Sequence, residues 1–129
     1  MNSQVAPDTI APPAANYAHA ILSEHPTHWL HTSGVVPTAP DGSVPEAIED
    51  QAKVVWHNLT ALLQEAGMGA EDVVSITTYV VVDHIASLPA VMAARDAALG
   101  GRRAASTLVT VPALANPAWK MEIALIAAR

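Results

Sequence analysis

The segment Val73–Val82 constrains the fold most strongly, because apolar and β-branched side chains occupy both of its faces. β-Branched residues favour strands, and a strand that is apolar on both faces is typical of the centre of a covered sheet. We therefore predict a central strand here, packed on one face by helices and on the other by a second layer. Trp56 and Tyr79 are expected to pack in the core.

Two amphipathic helices are predicted to flank this strand in the sequence. The first begins near Ser43, which with Glu46 fits a capping box, and it ends at Gly67. The second follows Ser87, keeps helical spacing through Arg95 and ends at a glycine pair. Six residues form the apolar stripe of the first helix: Ile48, Ala52, Val55, Leu59, Leu62 and Ala66.

The remaining elements complete a single α+β domain over residues 1–129. Residues 1–15 show no periodicity and are expected to form an extended N-terminal arm. The order is β-β-α-β-α-β-β, and each helix has one apolar stripe, so both helices are expected to cover the same face of the sheet. Self-association is predicted to cover the other face. The four further strands are Tyr17–Ile21, His28–Val36, Ser106–Val111 and Trp119–Ala127.

The composition excludes several kinds of site and partner. The chain has no cysteine, which excludes disulfides, cysteine-ligated zinc and thiol catalysis. Six Lys and Arg residues against 12 Asp and Glu residues give a net charge of -6, which disfavours nucleic acid as a partner. No apolar run approaches the ~20 residues of a membrane span, and the N-terminus lacks the pattern of a secretion signal. We therefore expect a cytoplasmic protein that binds neither nucleic acid nor membranes.

Five stretches together form a recognisable pattern: Ala15–Ala20, Thr32–Pro37, Asn58–Gly67, Asp72–Thr77 and Met121–Ile123. In their order and spacing they resemble the YjgF/RidA family of reactive-intermediate deaminases. The resemblance runs from about Ile10 to Ala127, which is nearly the whole chain. No single stretch is diagnostic, whereas their order along one chain is.

The resemblance implies a chorismate-mutase-like fold that assembles as a homotrimer. It also implies small-molecule clefts between subunits. Members of the family typically hydrolyse imines and enamines released by pyridoxal-phosphate enzymes, and they yield a ketoacid and ammonia. The resemblance implies no cofactor and no metal.

The family's site residues carry over to this chain only in part. Tyr17 matches the family's tyrosine, Ser33 and Gly34 match its serine–glycine pair, and Glu122 matches its glutamate, which positions or activates water. The family's substrate-binding arginine falls at Ala105 or Ser106, which cannot hold a carboxylate bidentately. We include both positions among the predicted substrate-binding residues.

Arg103 is the candidate to replace the missing arginine. Arg103 stands two or three residues before the expected position. On a strand that offset is ~7–10 Å by rise alone, so its use would need a rearranged loop. We therefore predict that the substrate is not a standard 2-imino acid.

Two histidines are predicted to line the cleft as catalytic residues. His19 shares a strand face with Tyr17 by period-two spacing, and His31 shares one with Ser33. Imidazole exchanges protons near neutral pH, so either histidine beside Glu122 would form a workable acid/base pair. The alternative is that both only fill space or hydrogen-bond the backbone.

Other candidates complete the predicted site. Trp29 shares the face of His31 and would form an aromatic wall of the pocket, or else pack in the core. Asn116, in the loop before the last strand, is a further predicted substrate-binding residue. The spacing of His25, His28 and His31 alternates strand faces, so no metal site is predicted.

Three functional hypotheses remain. The first is a hydrolase of a reactive imine, enamine or related intermediate, with Glu122 activating water. The second is a different acid/base reaction in a specialised secondary-metabolite or catabolic pathway. The third is a non-catalytic trimer that binds a small ligand. We favour the first.

Overall fold

A computed structural model describes the whole chain, residues 1–129. It contains six strands and two α-helices, and short 3-10 helices precede β4 and α2. The elements are β1 (Asn2–Val5), β2 (Ala20–Ser23), β3 (Trp29–His31), α1 (Ile48–Glu65), β4 (Val73–Val81), α2 (Leu88–Ala98), β5 (Ala105–Val111) and β6 (Met121–Ala128). No helix is long and apolar enough to cross a membrane.

The sheet has four strands in the order β3-β6-β4-β5. β4 and β5 are parallel and are joined through α2, whereas β6 runs antiparallel to both β4 and β3. A bridge between Ala18 and Ala105 attaches the segment before β2 to the free side of β5. β1 and β2 form a separate antiparallel pair.

Both helices pack on one face of this sheet, as predicted. Alternate residues of β4 and β6 are buried on that face, where Ile76 and Val80 meet Leu125 and Met121. α1 contributes Leu59 and α2 contributes Val91, both fully buried, to the same core. The α+β fold with two helices on one sheet face is confirmed.

The opposite face of the sheet has no covering element within the chain. The side chains that alternate with the core residues are only half-buried there, and they are less uniformly apolar than predicted. Tyr79 is one of them, so it is half-buried and lies outside the helix-covered core of one chain. In β4 and β6 this uncovered face consists of Ser75, Thr77, Tyr79, Val81, Glu122, Ala124 and Ile126.

The start of α1 differs from the prediction. The helix begins at Ile48 with Ala47 as its N-cap and no side-chain cap, so the predicted capping box is wrong. Ser43 instead donates from its hydroxyl and its amide to the Asp41 carboxylate, which lowers the pKa of Asp41. Ser43 is therefore hydrogen-bonded within the Asp-Gly turn that precedes the helix and does not cap the helix.

The end of the α1 stripe also differs. Leu62 is 43% exposed, whereas Leu63 is buried. The buried stripe therefore continues four positions after Leu59 rather than three. Ala66 is exposed at the C-cap, and Gly67 then turns the chain with φ 70, as the predicted stop requires.

The N-terminal arm contains a strand that was not predicted. Asn2–Val5 pairs with β2, and its side chains are largely exposed, which is why no apolar period marks it. The first predicted strand is observed later, at Ala20–Ser23 rather than from Tyr17.

Candidate functional site

A bulge between β3 and β6 creates the first part of the candidate site. β3 ends at His31 because the Thr32 hydroxyl accepts the Leu125 amide at 3.0 Å, in place of a backbone carbonyl. Pairing resumes only at Val35, which exchanges both backbone hydrogen bonds with Ile123. Ser33 and Gly34 therefore lie on an extra loop of backbone beside β6. Such bulges often re-aim side chains next to active sites.

Glu122 lies directly against this bulge. A Cβ atom built on Gly34 would overlap its carboxyl group, 2.5 Å from Cδ. Any side chain at position 34 would therefore collide with the Glu122 carboxyl group. Across the sheet Glu122 pairs with Tyr79, whose side chain shares the uncovered face. We call Ser33, Gly34 and Glu122 the Glu122 edge.

Tyr17 and His19 lie together at the opposite side of the sheet, beside β5. Their rings make an edge-to-face contact with centroids 5.8 Å apart, so the two side chains lie together although neither residue lies within β2. That they line a cleft stays a prediction. The Tyr17 hydroxyl accepts the Ala14 amide at 3.3 Å. His19 Nε2 donates to the Ala11 carbonyl at 2.7 Å. We call Tyr17, His19 and Ser106 the Tyr17 edge.

Arg95 of α2 reaches the position where the resemblance places an arginine. Its Nη1 donates to Ser106 Oγ at 3.2 Å, and its Nη2 donates to the Asn16 carbonyl at 3.2 Å. The residue is only 3% exposed, and both Nε and Nη2 donate to the Asp96 carboxylate. This guanidinium is therefore an internal cross-link between α2, β5 and the segment before Tyr17.

Arg103 is oriented by the same asparagine. Its Nε donates to Asn16 Oδ1 at 3.0 Å, and its side chain lines a cavity beside the N-terminal hairpin. No residue of the Tyr17 edge or of the Glu122 edge lines that cavity. Ala105 opens β5 and pairs with Ala18, and its methyl group offers no hydrogen bond.

His31 and Trp29 lie on the uncovered face. Their rings stack with centroids 6.2 Å apart, as expected for side chains on one strand face. His31 borders a hollow of about 190 Å³ together with Ser75 and Thr77. It pairs with Ile126, four residues along β6 from Glu122, which is ~13 Å by strand rise.

The structure therefore does not bring His31 and Glu122 together within one chain. Ser33 lies beyond the end of β3, so period-two spacing does not relate it to His31 either.

Asn116 is used within its own loop. Its Oδ1 accepts the Ala118 amide at 2.9 Å, which closes a tight turn before β6. Gln51, fully buried on α1, holds the same loop by donating to the Ala118 carbonyl and accepting the Lys120 amide. Gln51 thereby fixes the chain just before Glu122.

The two edges are far apart within one chain. Glu122 on β6 and Ser106 on β5 are separated by β4, which is ~10 Å across the sheet. Glu122 lies opposite Tyr79 and Ser106 lies opposite Ile76, so they are also offset by ~10 Å along the strands. Residues three apart on a strand point to opposite faces. Within one chain the Glu122 edge and the Tyr17 edge are therefore separate.

Sequence reasoning missed three polar residues around these two edges: Arg95, Asn16 and Tyr79. Arg95 carried a usable signal, since it occupies an apolar position in the α2 stripe and a charge buried there must find partners. The structure contains no group of three or more histidine, aspartate or glutamate side chains that could hold a metal ion.

Comparison with known proteins places this fold among known relatives. A family described as Endoribonuclease L-PSP matches residues 8–129. A search of curated proteins found no match.

Three solved structures are similar over nearly their whole length. A protein of the conserved Rid family from Yersinia pestis is 30% identical, with a TM-score of 0.89 over 99% of this chain and 98% of that one. A second Rid-family protein from Yersinia pestis is 28% identical, with a TM-score of 0.73 over 100% of both chains. RidA from an Antarctic Psychrobacter bacterium is 21% identical, with a TM-score of 0.72 over 98% of this chain and 99% of that one, and shows the fold alone.

Proposed function

The chain belongs to the Endoribonuclease L-PSP family, the Rid family, and from this premise we propose that it hydrolyses a reactive imine, enamine or related metabolic intermediate. The site is a cleft between subunits of a homotrimer. The observation that carries the proposal is the separation of the Glu122 edge from the Tyr17 edge on one sheet. A neighbouring chain that covers the uncovered face of the sheet would bring one edge of each chain together.

Glu122 is the proposed base. Water adds to the carbon of the C=N bond, its oxygen forms the new C–O bond, and Glu122 takes its proton. A protonated imidazole, from His19 or His31, gives a proton to the nitrogen. The C–N bond then breaks: the leaving amine takes the proton from Glu122, and the hydroxyl returns one to the imidazole. The products are a carbonyl compound and ammonia, and both protein groups return to their starting states.

The remaining edge residues bind the substrate in this proposal. Gly34 leaves room for the Glu122 carboxyl group, and Ser33, the preceding residue, is exposed. Tyr17 supplies a phenol from the other chain. Tyr79, which faces Glu122 across the strands, joins the wall of the site.

The substrate lacks a free α-carboxylate, or binds it elsewhere. The guanidinium nearest Ser106 is buried and already carries the Asp96 carboxylate. A substrate carboxylate would have to displace the Asp96 carboxylate, which accepts hydrogen bonds from both Nε and Nη2 of Arg95. This argument supports an imine outside the usual 2-imino acids.

RNA is not the substrate that we propose, although the family description names an endoribonuclease. Binding RNA through its phosphates requires clustered cations. The chain has a net charge of -6, and four of its six Lys and Arg residues already contact protein carboxylates or backbone carbonyls.

A non-catalytic ligand-binding trimer is the second candidate. Its support is that His19 and Tyr17 both contact backbone groups of the preceding segment. In that arrangement they would shape the pocket rather than move protons.

The test is a coupled assay in which an amine or amino-acid oxidase generates imines with and without an α-carboxylate, and ammonia release is followed. We expect Glu122→Gln to lower kcat ~10²–10⁴-fold, because it removes the base. Glu65→Gln, an exposed glutamate on α1, is the matched control and should leave kcat unchanged. Activity on 2-imino acids at the level of ordinary family members would contradict the substrate proposal, and full activity of Glu122→Gln would contradict the mechanism.

A further inference from the structure

A second cavity lies away from both edges. It is formed where the N-terminal hairpin, the short 3-10 helix before β4 and the turn between α2 and β5 meet, and its volume is about 360 Å³. The polar side chains that line it are Asn2, Gln4, Glu71, Arg102 and Arg103. None of the residues that we assign to the imine site borders it.

We propose that this cavity binds a small molecule through an oxyanion group, a phosphate or a carboxylate, held by Arg102 and Arg103. The inference does not depend on imine hydrolysis, because it concerns different residues. It assigns the chain a second ligand site beside the proposed cleft.

The two arginines are the only cations of the chain that have no carboxylate or carbonyl partner. Lys53 pairs with Asp50 and Arg95 pairs with Asp96. Lys120 and Arg129 donate to backbone carbonyls. Arg102 has no side-chain partner, and Arg103 contacts only Asn16. Two adjacent unpaired guanidinium groups in a chain of net charge -6 are the feature that an external anion would satisfy.

The backbone holds the arginine pair at the rim of the cavity. Gly100 and Gly101 both have positive φ, 60 and 79, which turns the chain sharply out of α2. A side chain at either position would be strained. The turn is closed by the Arg102 amide, which donates to the Leu99 carbonyl at 3.1 Å.

Arg103 is pre-oriented for an oxyanion. Asn16 Oδ1 takes only its Nε–H, so both Nη groups remain available. A guanidinium presents two parallel N–H donors to a carboxylate or phosphate, and a fixed one loses less entropy on binding. The Gln4 side chain lines the same cavity without an internal partner and can donate as well.

Glu71 limits what the cavity accepts. Its carboxylate lies against Gly69, where a Cβ atom would come within 2.5 Å of Oε2, and it forms no ion pair with either arginine. This negative charge would repel a polyanion. A small molecule with one oxyanion group and one hydrogen-bond donor could instead bind the arginines with the first and Glu71 with the second.

The experiment titrates the protein with inorganic phosphate and, separately, with acetate, at constant ionic strength set with KCl. NMR follows the backbone amides of Gly100 and Gly101. We expect saturable shifts with at least one probe, and the tighter probe identifies phosphate or carboxylate as the preferred group. Arg102→Gln, which removes no internal contact, should weaken binding about tenfold, and Arg102→Gln/Arg103→Gln should weaken it further.

Lys53→Gln is the matched control, since it removes one positive charge on α1 outside the cavity and should leave the affinity unchanged. Equal weakening by Lys53→Gln, unchanged affinity in the double variant, or the absence of saturable shifts with both probes would overturn the proposal. Ammonia release in the coupled assay is measured on the same variants. Unchanged release with lost anion binding separates this site from the proposed cleft.

Discussion

The Glu122 edge and the Tyr17 edge differ in how far they keep the pattern that the resemblance implies. At the Glu122 edge, the serine, glycine and glutamate are all present, and a β-bulge holds them beside one another. At the Tyr17 edge, the tyrosine is present, but an internal Arg95–Asp96 pair occupies the neighbourhood of Ser106. The group proposed to activate water is kept, and the group that would anchor a carboxylate is replaced. This difference is the support for our proposal that the chemistry is retained on a changed substrate.

Removal of the internal pair should have the largest effect on the Tyr17 edge. Arg95→Met leaves Asp96, Ser106 and the Asn16 carbonyl without their shared donor. We expect the free energy of unfolding to fall by ~2–4 kcal/mol, less than for a fully buried pair because the Asp96 side chain is 36% exposed. Urea denaturation measures it.

Arg102→Met, an exposed arginine without a side-chain partner, is the control for Arg95→Met and should change stability by less than ~0.5 kcal/mol. Equal stability of both variants would show that Arg95 is not the structural cross-link that we describe.

Displacement of Glu122 tests the other edge. Gly34→Ala places a methyl group where the Glu122 carboxyl group lies, so we expect kcat to fall about 10–100-fold through misplacement of the base. Steady-state kinetics on the imine panel measure the effect. Gly69→Ala is a close control, since it displaces the Glu71 carboxylate in the same manner outside the site. A kcat that falls equally in both variants would show that Gly34 has no specific role in placing the Glu122 carboxyl group.

These elements also show how far the sequence alone leads. The two helices, the central strand and their order follow from apolar spacing, because that spacing records which face is buried. β1 does not follow, since its mostly exposed residues are ordered by pairing with β2 and by the Asn2 side chain, which donates to the Ala128 carbonyl. The end of β3 depends on the Thr32 hydroxyl accepting the Leu125 amide, which no local pattern encodes.

The candidate site was predictable in part. Glu122, Gly34 and Tyr17 came from the resemblance, and the structure places them at two edges. The pairing of His31 with Glu122 does not occur within one chain, because His31 lies opposite Ile126, four residues along β6 from Glu122. The role of Arg95 depends on Asn16, which is distant from it in the sequence, and on Ser106, which lies on β5.

An arginine restored on β5 should have the smallest effect of these changes. Ser106→Arg alone would set a second guanidinium against Arg95, so we expect lower stability without new activity. In the Arg95→Leu/Ser106→Arg variant the new guanidinium is free of that neighbour, and we expect ammonia release from 2-imino acids to rise about tenfold. The coupled assay compares the double variant with Arg95→Leu alone. No gain would show that other residues of the Tyr17 edge exclude the carboxylate.

The most direct test of a site shared between chains is complementation in mixed assemblies. One chain carries Glu122→Gln and the other carries Tyr17→Phe/His19→Asn, and the two are co-expressed with different tags and purified through both. Each variant alone should be inactive. If each cleft takes one edge from each of two neighbouring chains, every mixed trimer that carries both tags has one intact cleft, about a third of its clefts, and ammonia release returns in proportion. Mixed assemblies as inactive as the parent variants would contradict the account, because they would place both edges of each working site in the same chain.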